Sequence, residues 1–169
     1  RDFVGNSGAA TTAWTYDNTG RMTAKTYADS SAIAYTYTPA GRLKSRTWAR
    51  NSTTTYFYDF EDVSPTRRNG DLVQIAYDDG VTPLVRYGID RRGRRTSVAQ
   101  WSPDGSTLLN TASQTLQPSG VMTSESHSGG PLNNMSVAFA YDSLLRRTNL
   151  TARQTGSSVV LSTRYGYDL

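Results

Sequence analysis

Aromatic and polar residues alternate in short runs along the chain. In one such run, the aromatic residues Trp14 and Tyr16 are followed by Asp17, and then by Gly20 and Arg21. Side chains two residues apart lie on the same side of a β-strand, and an aspartate three residues before a glycine is typical of a tight turn. The run therefore predicts a strand, a turn and a returning strand.

The same pattern recurs along nearly the whole sequence. The position held by Asp17 returns at 38, 59, 90, 117, 142 and 168, with steps of 21, 21, 31, 27, 25 and 26 residues. We interpret residues 1–169 as one repeat array of about six to seven units, part of a longer protein, with a lengthened turn at 60–70. The predicted motif residues are Trp14, Tyr16, Asp17, Gly20, Arg21, Tyr35, Tyr37, Gly41, Arg42, Tyr56, Tyr58, Asp59, Tyr87, Asp90, Gly93, Arg94, Gly120, Phe139, Tyr141, Asp142, Arg146, Tyr165, Tyr167 and Asp168.

The chemistry of one turn follows from its residue types. The aspartate carboxylate can accept backbone N–H groups within the turn, and glycine supplies the left-handed residue that closes a bulged hairpin. The arginine after the glycine can form a charge-assisted hydrogen bond with the aspartate. Several copies depart from this pattern, and we expect their turns to be altered in geometry. The departures are Thr38 and Gln117 for the aspartate, Leu145 for the glycine, Asp71 for the arginine, and Ile89 and Leu116 for aromatic residues.

A second set of turn signals lies between the first. It comprises Asp29–Ser31, Asn51–Ser52, Asp78–Gly80, Ser102–Gly105, Gly129–Pro131 and Thr155–Ser158. Two strands per unit give an all-β antiparallel meander of about 13 strands, which forms a long, curved sheet without helices.

Composition supports this fold class. The chain has 16 Arg but 2 Lys, and 12 Asp but 2 Glu, so the charged helix formers are nearly missing, whereas 23 Thr and 11 Tyr favour strands. A helical bundle is excluded on this basis, and the aromatic content together with a net charge of +4 argues against disorder. The absence of cysteine removes disulfides and thiolate chemistry.

The repeated Tyr-x-Tyr-Asp-x-x-Gly-Arg-Leu pattern resembles the YD repeat of the Rhs family, over roughly residues 14–169. That family includes bacterial polymorphic toxin shells, the cocoon component of insecticidal toxin complexes, and the teneurins. The resemblance implies a sheet that spirals into a hollow shell, secreted or at the cell surface, which in toxin members encloses an effector polypeptide. The partners it implies are the remainder of the parent chain and such an effector. The segment has neither an Asp-Pro-x-Gly-Leu cleavage sequence nor an effector domain, so toxin carriage is an inference about the parent protein.

We expect no catalytic, metal or cofactor site, and no membrane span. The regularly spaced aspartates lack the Gly-Gly-x-Gly-x-Asp pattern of calcium-binding solenoids and are better explained as turn caps. The single histidine, His127, lies in what we interpret as a polar loop, with no nucleophile elbow nearby. The protein is therefore expected not to be an enzyme.

Two binding interpretations remain open beside the structural one. The arginine runs at 67–68, 91–95 and 146–147 are a feature of nucleic-acid-binding surfaces. Because these arginines follow the repeat, we favour pairing with turn carboxylates, and only a weak affinity for polyanions stays open. The aromatic stripe is best explained as a ladder that stiffens the sheet. A cell-surface adhesive or glycan-binding module is the alternative.

Overall fold

A computed structural model of the chain describes residues 10–59, 70–156 and 160–168. These residues form thirteen strands and no helix, and the chain separates into two compact units, Arg1–Thr82 and Pro83–Leu169. The strands are β1 (Ala13–Tyr16), β2 (Met22–Thr26), β3 (Ala32–Tyr37), β4 (Leu43–Thr47), β5 (Thr53–Tyr58), β6 (Leu72–Tyr77), β7 (Leu84–Ile89), β8 (Arg95–Trp101), β9 (Leu108–Leu116), β10 (Met122–Gly129), β11 (Met135–Tyr141), β12 (Arg147–Gln154) and β13 (Val160–Arg164).

Each unit is an antiparallel meander in which every strand pairs with the next one along the chain. The first unit contains β1 to β6, and the second contains β7 to β13. The predicted all-β meander is confirmed. Because each pairing joins consecutive strands, the hydrogen-bonded ladder is built from connections that are local in the sequence.

A register shift marks the repeat hairpins, whether an aspartate or Thr38 begins the turn. Between β1 and β2, Thr15 lies opposite Ala24 but Tyr16 lies opposite Met22, so the returning strand carries one extra residue. The same shift occurs at Tyr37, Tyr58 and Tyr141. An extra residue of this kind is a β-bulge, as the bulged-hairpin argument predicted.

The sheet presents two chemically different faces. The first aromatic of each repeat lies directly opposite a residue of the returning strand, and these pairs define the aromatic face: Trp14–Lys25, Tyr35–Arg46, Tyr56–Ile75, Tyr87–Val98 and Phe139–Leu150. The intervening residues define the hydroxyl face, and many of them are small or carry a hydroxyl group, although Phe57 opposite Gln74 is an exception. Two of its rows run across consecutive strands: Thr15, Ala24, Ala34, Thr47 and Thr53 in the first unit, and Ser97, Ser113, Ser126, Ser136 and Arg153 in the second.

The described residues form no deep hydrophobic core. Only Ile33 and Leu84 are buried apolar residues, at 7% and 5% exposure, and no side chain is completely buried. Most strand residues are half-buried instead. The fold therefore depends on backbone pairing, turn chemistry and side-chain pairs on each face.

The aromatic ladder is organised differently from our prediction. A ladder predicts tyrosines on neighbouring strands, but the motif tyrosines lie on β1, β3, β5, β7 and β11 and beyond the end of β13, so at least one other strand separates successive aromatic strands. Adjacent strands lie about 4.8 Å apart, so successive aromatics cannot stack directly on one another. Basic side chains of the returning strands fill several of the intervening positions.

Two further expectations were wrong. His127 lies in strand β10 and not in a loop, because residues 124–129 pair with β9 along their whole length. Tyr165 and Tyr167 lie beyond the end of β13, although the backbone N–H of Tyr165 still donates to Thr148.

The second set of turns is confirmed. Residues 27–31 and 48–52 each close with a pair of backbone hydrogen bonds, and Ser30 and Asn51 take the left-handed position with φ of 66° and 62°. In the 102–107 turn, hydrogen bonds from the Ser102 hydroxyl and, next, from Ser106 lower the pKa of Asp104 to about 2. Residues 157–159 of the last turn lie outside the described residues.

Candidate functional site

The turn at Asp17 shows the chemistry that the repeat encodes. The backbone closes through Asp17 N–H to Arg21 O at 2.9 Å and Gly20 N–H to Asp17 O at 3.0 Å, with Gly20 at a φ of 80°. One carboxylate oxygen of Asp17 accepts the N–H groups of Thr19 and Arg21, and the other accepts Arg21 Nε at 2.7 Å. These bonds, the Thr19 hydroxyl foremost, hold the pKa of Asp17 well below its usual range.

Two more turns repeat this arrangement closely. Asp90 accepts Arg94 Nε at 2.7 Å, and Asp142 accepts Arg146 Nε at 2.7 Å. Each carboxylate also accepts the backbone N–H of its arginine. The predicted pairing of arginine with the turn carboxylate is confirmed at these three turns.

The substituted turns are not altered in backbone geometry, contrary to our expectation. Thr38 and Gln117 occupy the aspartate position, yet Gly41 and Gly120 close the turn through bonds of 2.9 Å. Leu145 takes the glycine position with a φ of 61° and closes its turn through a bond of 3.0 Å. The backbone hydrogen bonds and the left-handed residue therefore determine the turn, and the side chain of the first residue adds to it.

Asp59 anchors the lengthened turn. Residues 60–69, including Arg67 and Arg68, lie outside the described residues. The Asp59 carboxylate accepts the N–H groups of Gly70, at 2.5 Å, and Asp71, at 3.1 Å, and Gly70 has a φ of 72°. The insertion thus begins and ends at the same aspartate–glycine junction as a short turn, although Asp71 replaces the arginine there.

A hydrogen bond that the sequence interpretation missed joins four of the repeats to the one before them. The hydroxyl of the second tyrosine donates to a main-chain carbonyl on the preceding returning strand, two residues after the glycine position. We call this the inter-repeat tyrosine bond, and it occurs as Tyr37 to Met22 (2.7 Å), Tyr58 to Leu43 (3.0 Å), Tyr141 to Met122 (2.8 Å) and Tyr167 to Arg147 (2.7 Å).

Three of these rings are also covered by the arginine of the preceding turn. The guanidinium carbon of Arg21 lies 4.7 Å from the centre of the Tyr37 ring, and the equivalent distances are 5.4 Å for Arg42–Tyr58 and 4.6 Å for Arg146–Tyr167. Cation–π contacts at this distance are favourable. In the first and last of these, the arginine connects its own turn aspartate to the tyrosine of the next repeat.

Two repeats carry an aliphatic residue in place of the second tyrosine, Ile89 and Leu116, and the Leu116 repeat forms a substitute bond. Leu116 occupies the second aromatic position, and the side-chain amide of Gln114 donates to Arg95 O, the carbonyl that a tyrosine would reach. Arg94, which has no ring to cover, donates to Gln117 O at 2.8 Å. The link between repeats is therefore kept by different side chains.

The first aromatic of each repeat has a different environment. Arg46 lies 6.0 Å from the Tyr35 ring, Arg95 lies 5.0 Å from Tyr87, and Arg147 lies 4.4 Å from Phe139. By contrast, Trp14 and Tyr16 on β1 are 51% and 60% exposed. Arg46, Arg95 and Arg147 thus make structural contacts with aromatic rings of the sheet.

The remaining candidates do not assemble into a reactive site in the part of the chain that the structure describes. His127 Nε2 lies 2.8 Å from a carboxylate oxygen of Glu125, its neighbour on the same face of β10. Among the described residues, no three acidic or histidine side chains lie close enough together to hold a metal ion. No helix in these ranges could cross a membrane.

Comparison with known proteins points to one family. Residues 2–82 match the family model "Teneurin YD-shell". No curated protein matches the chain. One similar solved structure is a TcdB2-TccC3-TEV chain, with a TM-score of 0.63, 18% identity and 84% of this chain covered. Another is a TcdB2-TccC3 chain without its hypervariable C-terminal region, with a TM-score of 0.58, 15% identity and 94% of this chain covered.

A Photorhabdus luminescens Tc holotoxin pore is similar as well, with a TM-score of 0.63, 18% identity and 83% of this chain covered. The chain spans only 7% to 10% of the length of these proteins, and at such identities the likeness concerns the fold. The match over residues 2–82 confirms the resemblance to the YD-repeat family for this part of the chain, and the same turns and inter-repeat bonds continue to Tyr167.

Proposed function

We propose that the chain is a non-enzymatic wall segment of a YD-repeat shell, and that its parent is a secreted or cell-surface protein that encloses an effector polypeptide. The family match and the toxin-complex neighbours support the wall role. The enclosed effector and the secretion are carried over from the family resemblance.

The observation that carries the proposal is the inter-repeat tyrosine bond. A wall without a deep core needs many local connections between successive strands, because no buried apolar interior holds them together. The bond supplies one such connection at four places, and Gln114 supplies it at a fifth. The polar, hydrogen-bonded links suit a sheet whose two faces both remain accessible.

Protease protection in the longer protein tests the proposal. We expect an effector domain in the intact parent to resist a protease that digests the same domain expressed alone. A double variant, Y37F/Y58F, should increase cleavage by weakening the wall, and Y35F should not. An effector that is cut equally fast inside the parent and free in solution would overturn the enclosing role.

One observation favours the alternative of a glycan-binding surface. Trp14 and Tyr16 are exposed on the aromatic face, and exposed aromatic rings are typical platforms for sugars. Titration with oligosaccharides, monitored by tryptophan fluorescence in the wild type and in W14A, distinguishes the two. Saturable binding that W14A abolishes supports an adhesive role.

A further inference from the structure

The positive charge of the chain is concentrated in its second unit. Residues 1–82 contain nine basic and nine acidic side chains, whereas residues 83–169 contain nine arginines and five acids, which accounts for the whole net charge of +4. A charge excess confined to one unit is a reason to look for a partner of opposite charge there.

Most arginines of the second unit already have partners. Arg94 and Arg146 pair with turn aspartates, Arg86, Arg95 and Arg147 lie over aromatic rings, and Arg92 donates to a backbone carbonyl. Within the described residues of the unit, three arginines have no hydrogen bond, ion pair or ring contact through the side chain: Arg91, Arg153 and Arg164.

Arg153 and Arg164 lie on the hydroxyl face, whereas Arg91 lies in a turn. Arg153 is opposite Ser136, and Arg164 is opposite Asn149 on the neighbouring strand. Between them, Asn149 donates to Thr151 and accepts from Ser162, both at 3.2 Å. A shallow trough of about 350 Å³ adjoins Arg153, lined by Ser124, Ser136, Val137, Ala138 and Thr151.

We propose that the hydroxyl face of β10 to β13 binds an acidic polypeptide segment in an extended conformation. Arg153 and Asn149 are four residues apart on β12 and Arg164 lies opposite Asn149, so the α-carbons of the two arginines are separated by about 13 Å along the strand direction. Side chains at i and i+4 of an extended peptide have the same separation, which places one carboxylate against each arginine.

The chemistry of the face distinguishes this partner from other anions. The hydroxyl-face residues of β9 to β13 include no aromatic ring, so the face has no platform on which the bases of a single-stranded nucleic acid or the rings of a glycan could stack. Small Ser, Thr and Ala side chains allow a peptide backbone to approach closely, and hydroxyl groups can donate to its carbonyls. The inference deepens the proposed wall role by naming the class of polypeptide that one face holds.

The binding test uses the 169-residue chain tethered at low density on a sensor surface, with its β-structure checked by circular dichroism. The probe is a nonapeptide of Ser and Gly with glutamates at positions 3 and 7. We expect saturable binding that weakens about tenfold for the same peptide with glutamines, because charge-assisted bonds are lost. A peptide with adjacent glutamates should also bind less tightly than the spaced one.

Two variants locate the site. R153Q/R164Q should weaken binding about tenfold, and R91Q, which also removes a partnerless arginine, should stay within about twofold. Equal weakening by R91Q, or equal binding of the glutamine peptide, would overturn the proposal. Tighter, Arg153-dependent binding of a heparin fragment or an oligonucleotide would overturn the choice of a polypeptide partner. Because this assay needs no closed shell, its failure is distinguishable from failure of effector protection.

Discussion

The hydroxyl of Tyr37 on β3 donates to the main-chain carbonyl of Met22 on β2 at 2.7 Å. The ring that carries this hydroxyl lies under the guanidinium of Arg21, and Arg21 itself pairs with Asp17. One tyrosine thus connects its own strand to both the returning strand and the turn of the repeat before it. This relationship explains how successive hairpins hold together without a deep core.

Removing that hydroxyl should destabilise the sheet. We expect Tyr37→Phe to lower the free energy of unfolding by about 1 kcal/mol, because the Met22 carbonyl loses a hydrogen bond at a half-buried site. Tyr35→Phe is the matched control: its hydroxyl makes no hydrogen bond within the described structure, and the change should be below about 0.5 kcal/mol. Urea unfolding measures both, and equal losses would contradict the role of the bond.

Leu145 should be replaceable by glycine with a gain in stability. Its φ of 61° is left-handed, which costs a non-glycine residue about 1–2 kcal/mol, more than the extra unfolded-state entropy of glycine. The side chain is 49% exposed, so little burial is lost. Leu145→Gly should therefore raise the free energy of unfolding by about 0.5–1 kcal/mol.

The neighbouring leucine provides the control for this substitution. Leu144 is 70% exposed and is not among the residues with positive φ, so Leu144→Gly should destabilise the turn. Thermal or urea unfolding of both variants gives the comparison. A loss of stability in Leu145→Gly would show that its backbone conformation carries no strain.

The repeat that has Leu116 at the second aromatic position offers a rescue experiment. Gln114→Ala should cost about 1 kcal/mol, because Arg95 O loses its side-chain donor. Adding Leu116→Tyr to this variant should restore stability, since a tyrosine there occupies the position from which the others reach the equivalent carbonyl. Leu116→Phe, which adds the ring but no hydroxyl, should not restore it. Equal rescue by phenylalanine would assign the effect to packing.

The Asp17 turn should weaken in acid. The pKa of Asp17 is lowered from 3.8 in the folded chain, so its contribution is complete above pH 3.8 and is lost as the pH falls through the folded-state value. The free energy of unfolding should therefore decrease less steeply in Asp17→Asn than in the wild type as the pH falls below 4. The measurement is a series of urea unfolding curves in this pH range.

Arg21→Gln separates the causes of that pKa shift. The Thr19 hydroxyl and the backbone N–H of Arg21 lower the pKa of Asp17 more than the Arg21 side chain does. The Arg21→Gln variant should consequently keep most of the acid dependence. If it lost the dependence as completely as Asp17→Asn, the guanidinium would be the dominant cause.

Local signals in the sequence were sufficient to predict the hairpins. Asp17, Gly20 and Arg21 predicted a bulged turn with a carboxylate–arginine pair, and the structure has both. The turns at Thr38, Gln117 and Leu145 were misjudged, because we gave the side chain more weight than the backbone bonds that close each turn. His127 was misplaced for a related reason: pairing of β10 with β9 overrides a polar, glycine-containing composition.

The inter-repeat tyrosine bond depends on which strands are neighbours, and no single repeat contains that information. A signal was nevertheless present in the sequence. The first aromatic position accepts Trp14 and Phe139, whereas every aromatic residue at the second position is a tyrosine, which indicates a need for the hydroxyl. The small residue between the two aromatics, such as Thr15, likewise indicated a face of different chemistry.

Electron cryo-microscopy of the longer protein that contains this chain tests the central claim most directly. The account predicts a closed, hollow shell in which residues 10–168 form part of the wall, with the Tyr37 hydroxyl bonded to Met22 and density for a polypeptide inside. A solid rod or an open filament with no enclosed density would contradict it.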